Sequence, residues 1–75
     1  MTLKDLRKQH DLTQRQLAKM VSVKVQTTRT AVGNWETGFR VPTRRAMLRL
    51  AEIFGKSYHE IESMFIGGDN GSIFG

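Results

Sequence analysis

The chain has 75 residues, no cysteine, and 12 Lys and Arg against 7 Asp and Glu, a formal charge of +5. That length allows one domain with a small core, burying only about 60% of the unfolded surface, and without thiols neither disulfides nor thiolate metal sites can staple it. No apolar run approaches the roughly 20 residues of a membrane span and the opening MTLKDLRKQH has no apolar signal core, so a soluble, cytoplasmic chain is expected, its positive charge suited to nucleic acid or another acidic surface.

Thr2 and Asp5 stand at capping-box spacing. They predict a first helix from about Leu3 to Gln9, with Leu3, Leu6 and His10 along its apolar stripe. Asp11 marks the break and Leu12 packs inward. Thr13 and Gln16 form a cleaner capping box, and Leu12 with Leu17 makes a hydrophobic staple across it. The second helix is expected from Gln14 to Met20 or Val21, turning Leu17, Ala18 and Val21 inward. Ala18 is small, which lets another helix cross closely. Ser22 to Thr27 is β-branched and polar without a glycine. It reads as an extended connection with Val23 and Val25 turned inward, or as one further helical turn. Propensity does not separate the two.

Thr28 is a candidate cap for a third helix from Arg29 to about Thr37, with Val32 and Trp35 inward and Gly38 in the left-handed position after it. Trp35 reads as core rather than as a stacking platform. After Pro42, Thr43 can cap a fourth helix, RRAMLRLAEIF, ended by Gly55. Met47, Leu50, Ala51 and Phe54 face inward there, and Arg44, Arg45 and Arg49 outward. Ser57 and Glu60 are a third capping box. They open a fifth helix at Tyr58, with Ile61, Met64 and Phe65 on its apolar side. Residues 66–75 are Gly-rich and form a tail apart from a domain spanning 1–65. Within the tail, Asp69-Asn70-Gly71 is a turn signal between Phe65-Ile66 and Ile73-Phe74.

Enzyme readings lack parts. His10 and His59 are the only histidines. No carboxylate pair stands beside them at ligand spacing, and no Gly-rich loop precedes a helix. Neither a metal nor a cofactor is expected.

The stretches LRKQHDLTQRQLAKMV, VGNWETGFRVPT and LRLAEIFGKSYHEI, taken together, resemble the XRE family of phage repressor and Cro-type helix-turn-helix proteins. The resemblance implies an all-α, five-helix lambda-repressor-like DNA-binding domain. Here the connection between helices 2 and 3 is about four residues longer than the family's short turn. With Val32 on the buried position of the recognition helix, the base-facing positions fall on Arg29, Thr30 and Asn34, and Gly33 flanks them. An Arg fork suits guanine O6 and N7, an Asn amide suits adenine N6 and N7, and a Thr methyl suits thymine. Gln14 resembles the glutamine that meets a phosphate at a helix start, with Arg15 and Gln16 close to the same strand. Arg40, Thr43 and Arg44, with Arg45, are expected at phosphates on the far side, where contacts position without reading sequence. Arg7 and Glu36 resemble a family ion pair between helices 1 and 3. The implied function is a transcriptional regulator on a double-stranded DNA operator. The short chain fits the small Cro-like kind, dimerising through helix 5 and the tail, by way of Phe65, Ile66, Ile73 and Phe74. The alternative is an antitoxin that binds a protein toxin as well as its own operator.

Overall fold

The computed structural model of the protein describes residues 2–66. The turn expected at Asp69-Asn70-Gly71 and the contact expected of Ile73 and Phe74 lie outside the described residues. Within them the chain forms α1 (Leu3–Gln9), α2 (Gln14–Ser22), α3 (Arg29–Thr37), α4 (Arg44–Phe54) and α5 (Tyr58–Ile66).

Each helix begins where a side chain can satisfy a backbone N–H that the helix itself leaves free. Thr2 accepts from the Asp5 N–H at 3.2 Å, and the Asp5 carboxylate accepts from the Thr2 N–H at 3.0 Å. Thr13 and Gln16 repeat this at 3.0 and 2.8 Å, and Ser57 and Glu60 at 3.1 and 2.9 Å. Thr28 and Thr43 cap one-sidedly, accepting from Ala31 and Ala46. These bonds hold the Asp5 and Glu60 carboxyls below their ordinary values, chiefly through the backbone N–H groups of Thr2 and Ser57. Two helices end on glycines in the left-handed region, Gly38 at φ 83° and Gly55 at φ 65°, where a Cβ is penalised.

The inward stripes meet in one core. Leu3, Leu6, Leu17, Ala18, Val21, Val32, Met47, Leu50, Ala51, Phe54 and Ile61 are buried together. Leu12, Val25, Trp35, Met64 and Phe65 pack on its rim. Trp35 is thus half-buried rather than central. His10 is exposed, but its ring meets Phe54 edge-on at 5.0 Å between centroids.

The connection after α2 corrects one expectation outright. Val23 is 71% exposed, not turned inward. The physical reason is that α2 runs on to Ser22 and Val23 stays in helical geometry, φ −56° and ψ −33°. Two helical steps past the buried Val21 carry it to the opposite face. The chain then folds back: the Val25 N–H donates to the Val21 carbonyl at 2.9 Å, and Val25 alone of the pair reaches the core. The connection is therefore an added helical residue and a turn, extended only as it enters α3.

Candidate nucleic-acid interface

Helix α3 crosses the body with Val32 fully buried against it. Its C-terminal half is gripped by charge. Arg7 on α1 donates to both oxygens of Glu36, Nε to Oε2 at 2.6 Å and Nη2 to Oε1 at 3.2 Å. A third donor of the same guanidinium, Nη1, reaches the Leu12 carbonyl at 2.8 Å. The side chains of Arg7 and Glu36 are only 11% and 5% exposed. The pair that the sequence resemblance implied is therefore present and largely desolvated. Gln14 on α2 joins it, its Nε2 donating to Glu36 Oε1 at 3.1 Å. One carboxylate thus ties α1, α2 and α3 together.

The N-terminal half of α3 is left open. Arg29 and Thr30 are exposed, and Asn34 is half-buried on the same helix. Gly33 lies beside Gln14, where a Cβ would meet only Gln14 Nε2 at 3.7 Å. Among the described residues nothing forces a glycine there.

The residues expected at phosphates fall into two groups. At the start of α2, Thr13 and Gln16 satisfy each other. The Gln14 and Arg15 N–H groups have no acceptor among the described residues, so they point outward at the positive end of the helix dipole. Gln14 therefore offers its backbone there, while its side-chain amide is held by Glu36. After α3, the exposed Arg40 lies over the Phe39 ring at 5.8 Å. Thr43 uses its hydroxyl to cap α4. Arg44 stacks over Tyr58 of α5 at 5.5 Å, which turns its guanidinium towards α5. None of the three ion pairs among the described residues involves Arg15, Arg29, Arg40, Arg44 or Arg45. Four of the six carboxylates among the described residues are engaged elsewhere: Glu36 by Arg7, Glu52 by Lys24 and Arg49, Asp5 and Glu60 in caps; Glu62 accepts from the Tyr58 hydroxyl at 3.4 Å. Arg15, Arg29, Arg40, Arg44 and Arg45 are therefore left without a carboxylate partner among the described residues.

Sequence reasoning missed the Gln14–Glu36 bond and the brace that holds the lengthened connection on α4. In that brace Lys24 Nζ lies 3.1 Å from Glu52 Oε2, and Arg49 Nε donates to the Met20 carbonyl at 3.0 Å. Partners this far apart in sequence leave no local signal. A second feature is apolar. Phe39 is 74% exposed and Val41 is 52% exposed. A shallow groove of mixed character takes in Val41 but not Phe39, its apolar Leu3, Trp35, Met64 and Phe65 standing beside polar residues that include Glu36 and Arg40.

The family model described as helix-turn-helix matches residues 3–61. No curated protein and no solved structure matches the chain.

Proposed function

This chain belongs to the XRE-type helix-turn-helix family of DNA-binding transcriptional regulators, and from that premise we propose that it is a Cro- or repressor-like protein binding operator half-sites through α3. The resemblance to phage repressors supports an origin in a phage or mobile element. In this reading Arg29, Thr30 and Asn34 meet base edges in the major groove. The backbone N–H groups at Gln14 and Arg15 take a phosphate on one side, helped by Arg15 and Gln16. Arg40 and Thr43 take phosphates on the other, where Arg44 joins them by swinging off the Tyr58 ring. The observation that carries the reading is the asymmetry of α3: a buried ion pair fixes its trailing end, and its leading end stands clear with Arg29 unpaired. A rigid support of this kind lowers the ordering cost of binding.

The exposed Phe39 and Val41, with Met64 and Phe65 of α5, support a second protein chain on that face. A second copy fits best, because two-fold operators present half-sites about one helical turn apart. The bound dimer would occlude a promoter. If a foreign protein covers the same groove, the antitoxin reading takes its place, and a co-purifying small partner distinguishes the two.

The decisive experiment is selection from random duplex DNA followed by titration across salt. A two-fold motif is expected. Affinity should fall about a thousandfold or more between 50 and 200 mM salt if six to ten phosphates are contacted. Binding with no motif and little response to salt would sink the proposal.

A further inference from the structure

The joint between α2 and α3 is longer than a helix-turn-helix needs, and it is held at almost every residue. The Ser22 hydroxyl donates to the Thr27 carbonyl at 2.8 Å and accepts from the Thr27 N–H at 3.1 Å. Thr27 Oγ1 donates to the Val25 carbonyl at 2.6 Å. The Lys24 N–H returns to the Val21 carbonyl, and the Lys24 ammonium reaches Glu52 on α4. Val25 packs on the core. The chain then enters α3 extended, with Thr28 at φ −109° and ψ 164°.

In extended backbone successive side chains point to opposite sides. Val25 and Thr27 are half-buried, and Gln26 between them is exposed. Thr28 shares its outward direction, but the Thr28 hydroxyl is engaged in capping Ala31. Among the described residues the Gln26 amide has no hydrogen-bond partner. Among the described residues Gln26 is therefore an exposed polar side chain of the joint left without a hydrogen-bond partner, three residues ahead of Arg29.

We propose that Gln26 is a base-reading residue which the lengthened joint adds to the leading end of α3. A glutamine amide presents a donor and an acceptor side by side, matching N6 and N7 of adenine in the major groove. Its anchored backbone loses little freedom on binding, unlike a loose loop. The inference rests on α3 entering the groove, as proposed above, and extends the contact surface by one position.

The test compares the whole protein with Gln26→Ala and Arg29→Ala in selection from random duplex DNA. Gln26→Ala removes an exposed side chain with no hydrogen bond among the described residues, so its thermal midpoint should stay close to the parent's. The expected result is that Gln26→Ala loses its preference at one position flanking the position relaxed by Arg29→Ala. Discrimination there should fall by about 5- to 150-fold. An unchanged motif for Gln26→Ala beside an altered one for Arg29→Ala overturns this inference alone. Uniform weakening on all sequences overturns it too, since that marks a backbone contact. If neither variant alters the motif, the groove-bound reading of α3 fails with it.

Discussion

At its trailing end α3 is held by Glu36, which takes two bonds from Arg7 and one from Gln14, with Trp35 on the core rim and Gly38 closing the helix. At its leading end the helix has only a threonine cap and the braced joint behind it, and Arg29 and Thr30 stand in solvent. The difference separates two tasks along a helix of nine residues. Residues at one end determine where the rod lies, and residues at the other are free to touch something else. A uniformly buried helix would have nothing to read with. A uniformly exposed one would have no fixed direction.

The largest expected effect comes from the gripped end. Glu36→Ala leaves Arg7 buried without its carboxylate, and should destabilise the fold by about 3–5 kcal/mol, measured by urea unfolding. Arg7→Met combined with Glu36→Leu should recover much of that loss, because a desolvated pair is often matched by apolar packing. A loss below 1 kcal/mol for Glu36→Ala would erase the contrast between the ends. At the open end, Arg29→Ala should leave unfolding unchanged and cost about 1–3 kcal/mol of discrimination at one operator position. Arg40→Ala should instead weaken all sequences alike and lower the salt slope by about 1.

Between these lies the cap. Thr28→Ala should cost about 0.5–2 kcal/mol of stability and fray α3 from its leading end, so amide exchange should rise at Ala31 before it rises at Trp35. Gly33→Ala changes the middle of the helix, and the space beside Gln14 accepts a methyl group. It should stabilise the protein by about 0.5–1 kcal/mol, raising the melting temperature. A lower melting temperature would show that the glycine is needed by the protein's own packing.

The weakest response is to acid. Lys24 and then Arg49 hold the Glu52 carboxyl below its ordinary 4.5, and the Ser57 N–H does the same for Glu60. A depressed folded-state pKa contributes stability that is fully present above the unfolded value and is lost as pH falls through the folded one. The melting temperature should therefore begin to drop below pH 4.5. Glu60→Gln should flatten part of that drop, and an identical acid profile would contradict the assignment.

Much of the fold was legible in the chain because helix starts and stops are local. A threonine or serine three residues ahead of its partner either reaches that partner's N–H or does not, whatever the rest of the molecule does. Gly38 and Gly55 mark stops for the same reason. The family resemblance carried further, to the Arg7–Glu36 pair, which the structure contains. Val23 was misread because the outcome turned on whether α2 ended at Val21 or at Ser22. One residue of helix rotates a side chain by about 100°, enough to exchange core for solvent.

The sequence by itself therefore determined five capped helices, their inward stripes and the likeness to a helix-turn-helix family. Those follow from hydrogen bonds and periodicities spanning three or four residues. Only the tertiary structure decided that Gln14 gives its amide to Glu36 while Arg44 turns to Tyr58, that the long joint is braced on α4 through Lys24 and Glu52, and that Gln26 faces outward. The first three depend on the angle at which two helices cross, which is set by the filling of the shared core and by no single segment; the last depends on which of its neighbours, Val25 and Thr27, the core takes in.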